Sequence, residues 1–252
     1  MKQIMFRKTK SIDKETLANK IIVALDVDKE EEALTLVRHL SPPINFFKIG
    51  LRLYVSCGPR IITGLKKMGV KVFLDLKLHD IPHTVAATAD VITRMGVDMF
   101  NIHLSGGRDM IESTVMAVEE AAREEGKEKP YILGVTLLSS INEKILREEV
   151  GIESNLVQYI INMAGMGAEC GVNGVVASPR EAAPLRKEFG EDFIITAAGV
   201  RPLWASLGDQ LRVLTPRQAL DAGASYLVIG RPIIEQPTPR EAVEKILAEA
   251  AR

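Results

Sequence analysis

Eight short runs dense in Val, Ile, Leu and Phe recur along this chain, and that rhythm limits what it can fold into. They are KIIVALD (20–26), INFFKIG (44–50), VKVFLDLK (70–77), DMFNIHL (98–104), YILGVTLL (131–138), NGVVAS (173–178), DFIITAAG (192–199) and YLVIGR (226–231). The runs are nearly continuous in apolar residues rather than alternating. That suits parallel strands covered on both faces. Helical spacing fills the gaps between them. KEEEALTLVRHL (29–40) carries acids at its start and Arg38 and His39 at its end, the order a helix dipole favours. RDMIESTVMAVEEAAREEG (108–126) closes on Gly126, a suitable helix C-cap, and PREAVEKILAEAAR (239–252) ends the chain.

Eight strand–helix units in 252 residues predict a single-domain α/β protein, a (β/α)8 TIM barrel. The competitor is a doubly wound open sheet. It usually carries a glycine fingerprint after its first strand, whereas here that strand runs into ALDVDKEEE without a glycine. The expected division is an N-terminal extension, residues 1–18, and a catalytic barrel, residues 19–252. The extension is expected to be a helix or tail closing the barrel floor, or partly disordered.

Composition excludes several classes. An apolar content of 46% suffices for one large core, and a formal net charge of -1 leaves no basic footprint for nucleic acid or membranes. No apolar run approaches the ~18 residues of a spanning helix. The N-terminus lacks an apolar signal region. Cys57 and Cys170 are far apart and match no metal spacing, so a reduced, cytoplasmic protein is expected.

In such a barrel, chemistry sits where the strands end. Asp26 ends the first run, Lys48 lies near the end of the second, and Asp75 and Lys77 end the third. The strand period of two points Asp75 and Lys77 to one face. Any one of these residues could be a cap or turn residue, and the set could be a structural ion-pair network. Four charges at matching ends are nevertheless hard to attribute to chance, because a buried charge is expensive unless paired. His103 ends the fourth run and is expected to be a hydrogen-bonded structural histidine; His79 and His83 are expected in loops, and His39 at a helix end on the surface. The four histidines have no metal spacing, so no metal site is expected.

A second signal lies at the other end of the chain. The seventh run leads into AAGVRPLWASLGDQLRVLTP (197–216), and the eighth ends in VIGRP (228–232). Phosphate sites in these barrels form at the loops after strands seven and eight. Gly230 lets the backbone approach an anion, Arg231 can grip phosphate with its fork, and Arg201 and Gln210 sit in a loop long enough to close as a lid. Gly-Arg-Pro alone could be a turn; after the last strand of a barrel, phosphate binding is favoured.

Taken together these residues resemble the orotidine 5'-phosphate decarboxylase family in its bacterial form. The resemblance runs from about residue 20 to about 235. It rests on ALD (24–26), FFKIG (46–50), DLKLHDIPHTV (75–85), VTLLSS (135–140), GVRP (199–202), GDQLRVLTP (208–216) and VIGRPI (228–233), in the family's order. Asp-x-Lys-x-x-Asp alone is shared with related sugar-phosphate barrels; Ile81-Pro82, the GDQ loop and VIGRP add the specificity. Departures are His83 where Asn is frequent, Ser139 where Thr is common, and an apolar Leu203-Trp204 in the lid loop.

The resemblance implies decarboxylation of orotidine 5'-monophosphate to UMP and CO2, the last step of UMP biosynthesis, with no metal and no cofactor. Lys77 would protonate the carbanion left on the pyrimidine ring, and the flanking acids would hold that ammonium and aim it. Asp75 would lie near the substrate carboxylate, Lys48 would balance Asp75 and reach the ribose, and Asp26 would accept from ribose hydroxyls. Ser139 would contact the base, and Arg201, Gln210, Gly230 and Arg231 would hold the phosphate. The family's second Asp and the Thr four residues on enter the neighbouring subunit's site. Here they are Asp80 and Thr84, implying a homodimer with shared sites. Two alternatives stay open at this point: a Mg²⁺-dependent ketose-phosphate decarboxylase or aldolase of the same superfamily, and a non-catalytic nucleotide-phosphate sensor.

Overall fold

The computed structural model describes residues 12–205 and 213–251. Its frame is a closed barrel of eight parallel strands in sequential order, with β8 pairing back onto β1. The strands are β1 (Ile21–Ala24), β2 (Phe46–Gly50), β3 (Lys71–Leu78), β4 (Met99–His103), β5 (Tyr131–Val135), β6 (Gly174–Ala177), β7 (Ile194–Ala198) and β8 (Tyr226–Ile229). All eight predicted runs contain a strand, most of them shorter than the apolar run. The clearest trimming is at YLVIGR. There β8 stops at Ile229 because Gly230 caps a short helix, Arg231–Ile234, whose second residue is Pro232.

The period of two divides each strand between two cores. Outward residues such as Val23, Phe47, Ile49, Val72, Leu74, Phe100 and Ile132 pack beneath the helices in one large cluster. Inward residues Ile22, Phe46, Phe73, Met99 and Leu133 form a separate plug inside the barrel. Two positions further along β1 to β4, the inward row reads Ala24, Lys48, Asp75 and Asn101. The barrel is therefore dry in the middle and charged above.

The predicted helices form at Glu30–Leu40, Arg108–Glu125 and Pro239–Ala250. The first has Glu30, Glu31 and Glu32 in its first turn and Arg38 and His39 in its last; the second ends on Gly126 in the left-handed conformation, φ 60°. The extension contributes one short helix, Lys14–Ala18, which buries Leu17 and Ala18; residues 1–11 lie outside the described residues. Among the described residues, no helix is long and apolar enough to cross a membrane.

The N-terminal ends of β7 and β8 are tied together by one side chain. Arg186 Nε donates to the Gly223 carbonyl at 3.1 Å; Nη2 donates to the same carbonyl at 2.9 Å and to Ser225 Oγ at 3.0 Å. Its Nη1 donates to the Phe193 carbonyl at 2.8 Å and to the Gly190 carbonyl. Gly223 has φ +98°, and a Cβ there would lie 2.8 Å from Arg186 Cγ, so the loop needs glycine twice over. Arg186→Ala is expected to lower unfolding stability by about 2–3 kcal/mol, since it strips donors from three carbonyls, that of buried Phe193 among them. Urea unfolding of the two proteins checks this.

Candidate active site

The charged row at the C-terminal end of the barrel is a single network centred on Asp75. Lys48 Nζ lies 3.0 Å from Asp75 Oδ2 and 3.6 Å from Asp26 Oδ1. Lys77 Nζ donates to Asp75 Oδ1 at 2.6 Å, and Asn101 Nδ2 donates to the same oxygen at 2.7 Å. Four elements thus bring Asp26, Lys48, Asp75, Lys77 and Asn101 together, as the strand ends predicted for the four charged members. Two glycines leave room for them. A Cβ at Gly50 would lie 3.0 Å from Lys48 Nζ, and one at Gly230 would lie 3.0 Å from Asp26 Oδ2.

Burial alone would push the Asp75 carboxyl up. The charges of Lys48 and Lys77, with hydrogen bonds from Lys77 and Asn101, outweigh it and bring Asp75 down to about 2. Burial likewise acts to push the Lys48 ammonium down, and Asp75 and Asp26 reverse that, so its proton is held above the ordinary lysine value. The site is a preformed array of alternating charges, positive at Lys48 and Lys77, negative at Asp75 and Asp26.

Asp75 and Lys77 do meet, though not by simple pleating. Lys77 has φ 55°, the one positive φ outside glycine among the described residues, and the β3–β4 register shifts between Leu74 and Leu78. The left-handed turn costs about 1–3 kcal/mol at a non-glycine residue. Asn101, which the sequence reading passed over, sits against this turn. It has no solvent exposure, and its Oδ1 accepts from the Lys77 backbone N–H at 2.8 Å. Its signal was a lone amide inside the apolar run MFNIH, in register with the charged positions of the neighbouring strands.

The remaining predicted residues fall in three places. Arg201 and Arg231 share a cavity of about 170 Å³ with Trp204, Glu235 and Gln236. Arg201 is buried and its backbone N–H donates to the Leu214 carbonyl at 3.0 Å; Gly230, the residue before Arg231, lies against Asp26. Gln210 lies outside the described residues. Ser139 is half-buried in the loop after β5. Asp80 and Thr84 are exposed and stand apart from the network; Asp80 Oδ1 accepts from the Ile81 N–H at 2.7 Å.

The histidines need two corrections. His83 is not in a loop, because Pro82 starts a helix, Pro82–Arg94, that takes His83 into its first turn. The contact His103 makes is a ring stack on His79, centroids 5.1 Å apart, rather than the expected hydrogen bond. Burial, with the charges of His79 and Lys77, lowers its proton affinity. Among the described residues, no group of three or more His, Cys, Asp or Glu could hold a metal ion. A separate cavity, about 590 Å³, opens at the opposite end of the barrel between Lys71, Asp98 and Tyr131. Lys129 pairs there with Glu119 at 2.6 Å, Asp98 with Lys66 at 2.7 Å and Lys127 with Glu125 at 2.9 Å, as surface ion pairs do, so the chemistry is assigned to the buried charge network at the other end.

The charge array also sets a stability signature. The Asp75 carboxyl is depressed in the folded state, so its contribution is complete above the ordinary value of 3.8 and is lost as pH falls through about 2. Asp75→Asn leaves Lys48 buried with a weaker partner, at an expected loss of about 3 kcal/mol. Denaturant titrations of both proteins should show that gap level from neutral pH to about 4 and closing below it.

Comparison with known proteins follows the same residues. The family model described as orotidine 5'-phosphate decarboxylase / HUMPS family matches residues 19–246. An orotidine 5'-phosphate decarboxylase of Syntrophomonas wolfei is 46% identical over 231 residues, 91% of this chain and 97% of that protein. One from Heliobacterium modesticaldum is 42% identical over 233 residues, 92% of this chain and 96% of that protein. The crystal structure of orotidine 5'-phosphate decarboxylase from Lactobacillus acidophilus superimposes with a TM-score of 0.81 at 34% identity, covering 92% of this chain and 99% of that one.

Proposed function

The chain belongs to the orotidine 5'-phosphate decarboxylase / HUMPS family, and from that membership we propose its reaction and the residues that perform it. It is a carboxy-lyase that converts orotidine 5'-monophosphate to UMP and CO2, in pyrimidine biosynthesis. The observation that carries the assignment of roles is the Lys77 ammonium held 2.6 Å from Asp75 at the mouth of the barrel.

The bond between ring carbon C6 and the carboxylate breaks, its electron pair stays on C6, and CO2 leaves. No adjacent carbonyl accepts that pair, so the protein must stabilise it by charge and then protonate it. Lys77 does both: its fixed positive charge favours the carbanion and its Nζ–H supplies the proton, later replaced from solvent. Asp75 fixes Lys77 and disfavours the substrate carboxylate beside it; Lys48 balances Asp75 and, with Asp26, binds the ribose. Ser139 contacts the base, and Arg201, Gln210, Gly230 and Arg231 hold the phosphate. Phosphate binding far from the breaking bond can lower the chemical barrier by driving closure of the loop after β7. No metal or cofactor takes part in this reading. A Mg²⁺-dependent sugar-phosphate reaction would need Asp75 free as a ligand, and two ammonium groups at 2.6 and 3.0 Å engage it. The barrel, residues 19–252, is read as the catalytic domain, working in the cytoplasm.

Turnover of orotidine 5'-monophosphate, followed by loss of the orotate ultraviolet band with EDTA present, tests this. Conversion to UMP is expected to be unaffected by the chelator. Lys77→Ala is expected to lose nearly all turnover while still binding UMP; near-normal turnover would remove Lys77 from its role.

The protein is further proposed to be a homodimer in which Asp80 and Thr84 enter the neighbouring site. Both are exposed, and so are apolar side chains that follow β3 and its neighbour β2: Ile81, next to Asp80, is 67% exposed, Leu51 62% and Val55 75%. Co-expressed Lys77→Ala and Asp80→Ala chains should recover about a quarter of wild-type activity, because each mixed two-fold dimer keeps one intact site. Absence of recovery, with both single variants inactive, would refute site sharing.

A further inference from the structure

We infer that Asn101 is a positioning residue for the reaction: its buried amide bridges the irregularity between β3 and β4 and thereby holds the Lys77 ammonium against Asp75. The inference rests on the reaction proposed above. Between paired positions Leu74–Phe100 and Leu78–Ile102, β3 has three residues, Asp75, Leu76 and Lys77, where β4 has only Asn101. A bulge of this kind breaks the backbone ladder and leaves a buried N–H in need of a partner. The Asn101 side chain takes that place. Its Oδ1 accepts from the Lys77 N–H at 2.8 Å, and its Nδ2 donates at 2.7 Å to Asp75 Oδ1. That oxygen is the one that accepts from Lys77 Nζ at 2.6 Å. One amide therefore pins both ends of the contact, the backbone of Lys77 and the carboxylate its ammonium meets. It also stabilises Lys77 at φ 55°, a conformation that few side chains adopt unaided.

The charged groups facing Asn101 are Asp75 and Lys77 on β3, with Lys48 of β2 reaching the other oxygen of Asp75; on its own strand the titratable group is His103. This allows a test that a merely structural amide would not pass. Asn101→Asp keeps the size of the side chain. With its carboxyl protonated it can still donate to Asp75 and accept from Lys77; ionised, it cannot donate and opposes Asp75 with a like charge. Its kcat relative to wild type is expected to be near one at the acid end and to fall as pH rises. Asn101→Ala is expected to lose about 100-fold in kcat at every pH, with UMP affinity little changed. An alanine variant within about twofold of wild type, or an aspartate variant whose kcat ratio is flat with pH, overturns the inference. Should the alanine variant not fold, the pH profile of Asn101→Asp decides alone. A wild-type protein without turnover would count against the proposed reaction. The crystal structure of Asn101→Ala then decides: loss of the Lys77–Asp75 contact supports the positioning role, and its retention with Lys77 still at positive φ overturns it.

Discussion

The structure depends on one buried carboxylate held between two ammonium groups. Asp75 sits above a dry apolar plug, where an unpaired charge would cost several kcal/mol and a paired one interacts strongly. Its two oxygens divide the work, Oδ2 for Lys48 and Oδ1 for Lys77 and Asn101. Each neighbouring feature follows from fitting that arrangement into a closed barrel. Glycines at 50 and 230 clear space for Lys48 and Asp26, and the β3 bulge lets Lys77 turn back toward Asp75.

The two ends of the barrel have separate tasks. At the N-terminal end Arg186 gathers carbonyls from two loops and locks β7 to β8. In the middle Phe46, Phe73 and Met99 fill the interior. The C-terminal end carries the positive φ at Lys77, the charge array and the arginine cavity beside Gly230. A strained residue and a cluster of charges are tolerable there because the floor and the plug are held independently of them.

Much of the fold and of the site was legible in the sequence. The eight apolar runs became eight strands because parallel strands buried on both faces need continuous apolar residues. Asp26, Lys48, Asp75 and Lys77 stood out because charge at the end of such a run is expensive unless it is used. Strand ends were less legible: YLVIGR looks apolar through Ile229 and gives no sign that Gly230 begins a helix cap. His83 was misplaced because Pro82 reads equally well as a turn or as a helix start. Asn101 was missed because a single amide in an apolar run carries no charge to draw attention, and its meaning lies in what stands opposite.

The order of residues carries the period and the inventory: eight βα units, inward and outward faces, and the charges that the strand ends would carry. How those charges meet is set by barrel closure and strand register. Closure brings β8 beside β1 and so sets Gly230 against Asp26, residues some 200 positions apart in the chain. The β3–β4 register decides that Lys77 turns left-handed and that Asn101 spans the gap. Such pairings depend on register and closure, which are properties of neighbouring strands, and no local pattern within one strand encodes its neighbour's offset.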